Sequence, residues 1–421
     1  MKVVGLVTEY NPFHNGHLYH LNKSKNSTGC DYSIAVMSGN FLQRGEPALV
    51  DKWSRARMAI DNGVDLVIEL PTVYACQSAE FFAYGAISIL DKLGVTDYIC
   101  FGSESGDIEK LDLLADILYR EPDDFQNILK DRLATGIPFP QARTQAITNY
   151  LQNNNRLNEM TVDDVSNIMS NPNNILALEY LKALKKLNSS VIPYTIQRMG
   201  AHYNSEKIQG NLSSATAIRT ELFEKKDLSC IRKTVPLPTY SILEKNLKTY
   251  GSFNRIDNFN DILIYLLRSL DKKMIRKIFD VDEGLENRIK SCSEKFNNIN
   301  SIIDCIKTKR YTYTRLQRIM MHLLLGLYED SFLHLHSKGP SYIRVLAFNK
   351  KGIEILNKAK KTSKLPIITK FANYSKLSNN SLEEMIRYDI KATDIYFLGL
   401  KKYDEPKVSL DFLNSPYIKN N

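Results

Sequence analysis

The stretch Thr8-Glu9-Tyr10-Asn11-Pro12-Phe13-His14-Asn15-Gly16-His17 constrains the fold more than any other part of the chain. It lies between an apolar run that begins at Val3 and a stretch, Leu18 to Ser24, that reads as helix. Two histidines three residues apart, with a glycine just before the second, therefore stand where a first strand hands over to a first helix. In open parallel sheets that turn is where nucleotide phosphates dock, because backbone N–H groups and the positive helix end favour an anion. Imidazoles there can donate hydrogen bonds to phosphate oxygens that gain charge as a pyrophosphate departs. An exposed loop with chance histidines is the alternative. The position of His14, directly behind a β run and 14 residues from the start, favours ATP binding.

The next hundred residues repeat the strand–helix alternation at roughly 30-residue spacing, the length of a βαβ unit. Lys2 to Val7, Tyr32 to Met37, Val64 to Leu70 and Asp97 to Phe101 read as strands. Lys52 to Asp61, stopped by Asn62-Gly63, and Ser78 to Leu93, stopped by Gly94, read as helices. Near-continuous apolar strands separated by helices predict an α/β fold, a parallel sheet with helices on both faces. Strand ends that carry Gly, Ser and polar residues then line the one edge where ligands bind. Residues 107–170 read mostly as helices, among them Ile108 to Tyr119 and Asp124 to Ala134, and look like an insertion or lid. Asn173 to Leu187 reads as a further helix and Tyr194 to Met199 as a last strand. After Pro236-Leu237-Pro238 the composition turns helical, basic and Tyr-rich, with no further strand–helix alternation.

Charge follows the same division. Residues 241–421 carry 32 Lys+Arg against 20 Asp+Glu, which leaves 24 against 27 of the totals of 56 and 47 for residues 1–240. A near-neutral front half joined to a basic back half fits an enzyme whose second substrate is a polyanion, although a lysine-rich proteome alone can produce such a balance. No apolar run of about 18 residues exists, so no transmembrane helix is expected. The N-terminus lacks the apolar region of a signal peptide. The six cysteines, Cys30, Cys76, Cys100, Cys230, Cys292 and Cys305, contain no C-x-x-C pair and read as reduced thiols of the cytoplasm, not as a zinc site or disulfide framework.

Ser213-Ser214-Ala215-Thr216-Ala217-Ile218-Arg219 is the second chemical signal. Hydroxyls at a helix N-terminus, followed one turn later by Arg219, make a phosphate clamp: hydroxyls and free N–H groups reach oxygens and the guanidinium adds fixed charge. A plain N-cap followed by a surface arginine is the alternative. Gly102-Ser103 at a strand end can let a base or ribose approach the backbone, or be a simple turn. Asn173 and Asn174 can bond adenine or ribose, or merely cap a helix. Arg198 can sit against adenine or phosphate. Arg44, in Phe41-Leu42-Gln43-Arg44-Gly45-Glu46-Pro47, can pair with a substrate carboxylate or RNA phosphate. Asp51, Lys52 and Arg55 read as a surface salt-bridge group, and His20 as peripheral to the chemistry. His334 and His336 would share a strand face, with no third metal ligand nearby. Lys307 to Arg318 interleaves bases with Tyr311 and Tyr313, a pattern that suits phosphate contacts and base stacking, or an exposed helix start. Lys358 to Lys370 is a second basic run.

Taken together, these residues resemble the bacterial tRNA(Met) cytidine acetate ligases, within the nucleotidylyltransferase superfamily marked by H-x-G-H and S-S/T-x-I-R. The resemblance rests on Gly5 to His20, Val36 to Ala48, Gly63 to Pro71, Phe101 to Ile108, Asn171 to Leu176, the Arg198 region and Ser214 to Arg219. The basic back half matches in character more than in motif. The resemblance implies a Rossmann-like nucleotidylyltransferase domain over residues 1–235, with the helical insertion at about 107–170, and a mainly helical, basic tRNA-binding domain over 240–421. It implies ATP-dependent activation of acetate to acetyl-adenylate, then acetylation of N4 of the wobble cytidine of elongator tRNA(Met). His14, His17, Ser214 and Arg219 would be catalytic. ATP would be held by Val7, Thr8, Glu9, Tyr10, Asn11, Pro12, Phe13, His14, Asn15, Gly16, His17, Leu18, Tyr19 and His20, with Gly102, Asn173, Asn174, Arg198 and Met199. Mg²⁺ would accompany ATP, with no dedicated protein metal site, in a cytoplasmic enzyme. Two other readings stay open: a nucleotidylyltransferase acting on a phosphorylated cofactor precursor, and a non-catalytic, ATP-regulated RNA-binding protein.

Overall fold

The computed structural model describes residues 1–156, 159–198, 213–225, 227–372, 374, 380–402 and 408–420. Eight strands form one sheet: β1 (Val3–Thr8), β2 (Tyr32–Ser38), β3 (Leu66–Leu70), β4 (Tyr98–Ser103), β5 (Ile192–Gln197), β6 (Ile343–Asn349), β7 (Ile367–Ile368) and β8 (Tyr417–Lys419). Their order is β5-β4-β1-β2-β3-β6-β7, with β8 also on β6. β1 to β5 run parallel, and β6 joins β3 antiparallel. β2 and β3 are buried almost throughout, as strands covered on both faces must be, which explains their unbroken apolar runs.

The chain steps outward from β1 to β2 and β3, then returns to place β4 on the other side of β1. The order therefore reverses between β1 and β4, and such reversals open a crevice at the carboxyl ends of the strands. Helix α1 (Asn15–Thr28) leaves β1 at that point and ends on Gly29, whose φ of 63° is the left-handed conformation that glycine tolerates best. Helix α2 (Lys52–Asp61) is capped by Asp51, whose side chain accepts from Ser54 N at 2.9 Å.

Several expectations need correction. Residues after 240 are not wholly helical: Ile343–Asn349 enters the main sheet, because an apolar run can pair with the otherwise open edge of β3. Lys52 and Arg55 are not surface residues but have 0% exposure. Lys52 Nζ bridges Glu69 at 2.8 Å and Asp411 at 2.7 Å, and Arg344 bridges the same two carboxylates at 3.0 and 2.6 Å. Arg55 donates to the carbonyls of Val50, Glu9, Ser38 and Gly39, pinning the ends of β1 and β2 to α2. Cys292 and Cys305 form a disulfide that joins the helices Leu285–Lys295 and Ile299–Ile306, so these two thiols are not free. His334 and His336 lie on the helix Glu329–Lys338. His336 packs on Phe81, while His334 faces Glu384.

Candidate active site

A cavity of about 290 Å³ opens at the reversal point, over the carboxyl ends of β1, β4 and β5. Its floor is Val7 to Asn11, and one side is α1 with His14, Gly16, His17, Tyr19 and His20. The β4–β5 wing contributes Gly102, Asn173 and Arg198, and the β2 wing contributes Gln43, Arg44 and Glu46. Ser213 to Thr216 and Arg219 close it from the start of the helix Ala215–Lys225.

His14 is the N-cap of α1, a place usually taken by Ser, Thr, Asp or Asn. Its Nδ1 accepts the Gly16 N–H at 3.0 Å, and His17 Nδ1 accepts the His14 N–H at 3.2 Å. Each imidazole thus spends Nδ1 as an acceptor, which leaves the ring proton on Nε2 in the neutral form. The two rings stack with centroids 3.7 Å apart. Gly16 is required by space and not by dihedral angle: a Cβ there would lie 2.8 Å from His14 Cε1. Burial, then Arg198 and Arg219, lowers the His14 pKa from the ordinary 6.5 to about 3. Burial and His14 lower that of His17, and burial with Arg198 takes His20 to about 4. The histidines therefore face the cavity as neutral hydrogen-bond donors, suited to an oxyanion and not to titration near pH 7.

Arg44, Arg198 and Arg219 give the cavity its positive charge. Arg219 donates through Nη1 to Asn11 O at 3.0 Å and pairs through Nη2 with Glu46 at 2.9 Å. It thereby joins the His loop to the loop after β2. Arg198 continues β5, its N–H reaching Ser103 O at 2.9 Å, and Gly102 leaves room for its stem, since a Cβ there would sit 3.2 Å from Arg198 Cγ. Ser214 Oγ accepts the Ala217 N–H at 3.1 Å and so serves as an N-cap. The loop Phe41–Pro47 is anchored from the back half. Phe41 and Leu42 are buried in one apolar cluster with Phe259, Leu316 and Tyr396, and Gly45, at φ +80°, lies against the backbone of Arg318 in the helix Tyr313–Leu325.

Of the residues expected to hold ATP, Val7, Thr8, Glu9, Tyr10, Asn11, His14, Gly16, His17, Tyr19, His20, Gly102, Asn173 and Arg198 line the cavity, as do Ser214 and Arg219. His20 is thus a wall of the cavity and not peripheral. Pro12 and Phe13 are buried beneath the loop. Asn15 turns away, its side chain donating to Lys233 O at 2.9 Å, and Leu18 packs into the core beside α1. Asn174 is buried and does not line the cavity; its Oδ1 accepts the N–H groups of Glu104 and Ser105 at 2.9 and 3.0 Å. Asn173 donates to Glu104 Oε1 at 2.6 Å. Met199 lies outside the described residues. Phe82, Phe101, Leu176, Tyr180, Ile196 and Gln197 also line the cavity. Phe101 and Leu176 fall within blocks that carry the resemblance, whereas nothing in the local sequence marks Phe82, Tyr180, Ile196 and Gln197, which reach the cavity through the order of the strands.

The model of the HIGH Nucleotidyl Transferase family matches residues 1–409. A protein of Thermoanaerobacter sp. (strain X514), named tRNA(Met) cytidine acetate ligase, is 48% identical over 100% of both chains. One of the same name from Clostridium perfringens (strain ATCC 13124) is 45% identical, covering 99% of this chain and 100% of its own. Two crystal structures of Thermotoga maritima TmcAL, one apo and one bound with alpha-thio ATP, are 37% identical and cover 100% of both chains, with TM-scores of 0.95 and 0.93. Matched by the family model over residues 1–409 and by these relatives and structures over essentially its full length, the chain belongs to the tRNA(Met) cytidine acetate ligase family of HIGH nucleotidyl transferases.

Proposed function

We propose that this protein activates acetate with ATP and transfers the acetyl group to N4 of the wobble cytidine of elongator tRNA(Met). The observation that carries the reading is the pair of neutral imidazoles at the start of α1, opposite Arg198 and Arg219 in one cavity. In the first step the acetate carboxylate attacks the α-phosphorus, an acetyl–oxygen–phosphorus bond forms, and pyrophosphate leaves with the electron pair of the broken P–O bond. His14 and His17 donate through Nε2–H to the phosphate oxygens that gain charge. One such donor in a dry site is worth about 10²–10³ in rate. Arg219 and Ser214 hold the departing phosphates, and the ATP triphosphate competes with Glu46 for Arg219. The nucleoside lies in the β4–β5 wing, against Gly102, Asn173 and Arg198. Mg²⁺ would accompany ATP and offset the charge of its phosphates.

In the second step the exocyclic amine of cytosine attacks the acetyl carbonyl and AMP leaves. The mixed anhydride is reactive, so the protein contributes mainly positioning. We place the tRNA body on the basic back half, 240–421, whose helix Tyr313–Leu325 abuts the loop that carries Gln43, Arg44 and Glu46 to the cavity. No helix of the described residues is long and apolar enough to cross a membrane, and a cytoplasmic setting is proposed together with the tRNA substrate. The test is ATP–pyrophosphate exchange with a panel of small carboxylates, followed by nucleoside analysis of tRNA(Met). Exchange that requires acetate, with N4-acetylcytidine formed in the tRNA, is the expected result. Exchange supported only by a phosphorylated small molecule would overturn it.

A further inference from the structure

The cavity has two wings, and the nucleoside proposed above takes only one of them. Gly102, Asn173 and Arg198 lie on the β4–β5 side of β1. On the β2 side stand Glu9, Gln43, Arg44 and Glu46, next to the loop that the back half holds in place. An acceptor base held through the back half, as proposed above, would arrive on this second side. Acetylation of an exocyclic amine must release one proton, and the groups able to take it there are few. His14 and His17 have committed Nδ1 to backbone N–H groups and carry their proton on Nε2. Among the described residues His20 Nε2 has no hydrogen-bond partner, and it lies near Arg198 on the opposite wing. Glu46 pairs with Arg219 at 2.9 Å, a pair that the departure of pyrophosphate leaves free to re-form before acetyl transfer.

Glu9 differs from all of these. Its position is fixed twice: its carbonyl accepts from Arg55 Nη1 at 2.7 Å, and its Oε1 accepts the Gln43 N–H at 2.8 Å. Among the described residues neither a hydrogen bond nor an ion pair reaches Oε2, and Glu9 lines the cavity. Burial raises the Glu9 pKa, the Gln43 N–H opposes this, and Glu46 raises it further, which makes the carboxylate a better proton acceptor than a solvated one.

We propose that Glu9 Oε2 is the proton acceptor of the acetyl-transfer step, a reading that rests on the function proposed above. The N4 lone pair forms a bond to the acetyl carbon, and the C–O bond to the phosphate breaks with its electron pair leaving on AMP. One N4 proton passes to Glu9 and is then released to solvent. Acetate activation needs no such acceptor, because no proton is lost in it.

The two half-reactions therefore separate the idea from its alternatives. Glu9→Gln keeps the acceptor oxygen for Gln43 N–H but cannot take a proton at neutral pH. It is expected to slow single-turnover acetyl transfer from preformed acetyl-adenylate by 10²-fold or more. Far-UV ellipticity and a thermal melt report that the variant is folded, and because Glu9 also lines the nucleotide cavity, exchange in the same preparation reads any loss of ATP binding; the loss in transfer is expected to exceed it by about tenfold or more. The wild-type transfer rate should rise with pH through one ionisation that Glu9→Gln lacks. Arg44 and Glu46 of the loop, Arg219, Arg55 and Cys76 face Glu9 and should keep their own contribution in both proteins. Glu9→Asp should restore part of the transfer. Equal losses in both half-reactions, or transfer within about threefold of wild type, overturn the proposal. A wild type without acetate-dependent exchange overturns the acetate reading itself, and the Glu9 assignment with it.

Discussion

Gly16→Ala isolates the catalytic geometry of His14 from the stability of the fold. A Cβ at position 16 would stand 2.8 Å from His14 Cε1 and 3.0 Å from Nδ1, with no other atom in the way within 4 Å. Carbon atoms in contact prefer about 3.5–4.0 Å, so the imidazole must retreat by about 0.7–1.2 Å. That movement lengthens the cap bond from the residue 16 N–H, 3.0 Å in the native chain, and carries Nε2 away from the phosphate it serves. A misplacement of about 1 Å costs about 10² in rate, and loss of one oxyanion donor about 10²–10³. Stability should hardly change. Weakening an N-cap costs about 1 kcal/mol, while replacing Gly by Ala inside a helix returns about 0.5–1 kcal/mol. The assay is acetate-dependent pyrophosphate exchange beside a thermal melt. Exchange should fall about 10²-fold or more, with Tm within about 2–4 °C of wild type. Adding Gly16→Ala to His14→Ala should cost nothing further, since both act on one group. Exchange within about threefold of wild type, or a second large loss in the double variant, would refute the reasoning.

The tautomers can be read directly: ¹H–¹⁵N correlation spectra at pH 6 should show His14 and His17 neutral, with the proton on Nε2, and imidazolium signals there would contradict the site geometry. His14 titrates near pH 3 in the folded chain against about 6.5 unfolded, so the stability it contributes is present above pH 6.5 and is lost as pH falls toward 3. Urea unfolding of His14→Ala should accordingly show a weaker fall in stability between pH 6.5 and 4 than wild type. Lys52→Met leaves Glu69 and Asp411 with Arg344 alone in a buried site, and equilibrium unfolding should report a loss of about 3–5 kcal/mol; a change below about 1 kcal/mol would count against the network. Lys307→Ala with Lys309→Ala, both exposed, should weaken tRNA binding and reduce the slope of log K against log salt by about 2, measured by filter binding. An unchanged slope would move the tRNA away from that segment.

The chemistry of the front half is legible because it is local. The H-x-G-H turn, the Ser214–Arg219 segment and Gly102 each carry their spacing within a few residues, and the strand alternation places them at one sheet edge. Residues whose role depends on long-range pairing are not legible in the same way. Asn174 looks like a nucleotide contact, yet its Oδ1 is taken by Glu104 and Ser105 N–H groups 70 and 69 residues away. Lys52 and Arg55 look like a charged surface turn, because nothing nearby announces that Glu69, Asp411 and four backbone carbonyls will surround them.

The same distinction explains why the back half cannot be the detachable domain its charge suggests. β6 pairs with β3, and Arg344 on β6 meets Lys52 of α2 and Glu69 of β3 across the same buried carboxylates, beside Asp411. Asp389 joins from the helix Asn380–Leu398, accepting the Thr72 N–H at 2.8 Å and the Tyr342 hydroxyl. Burial, then Glu69, raises its pKa, so this carboxyl favours its protonated form more than a solvated one does. Removing residues 241–421 to test tRNA binding would therefore expose the edge of β3 and strand Lys52 and Glu69 without their partners. The truncated front half should fail to fold, with lost far-UV ellipticity and no cooperative melt. A front half that melts cooperatively and binds ATP would show that β6 and the charge network are dispensable. The alternative outcome makes the site a joint product of both halves, because the loop bearing Gln43, Arg44 and Glu46 packs on the back half through Gly45 against the helix Tyr313–Leu325 and through Phe41 and Leu42 in the cluster with Phe259 and Tyr396. On that account tRNA docking and acetate activation share a rigid connection, and charge substitutions on the exposed face, which leave the sheet intact, are the perturbations that separate them.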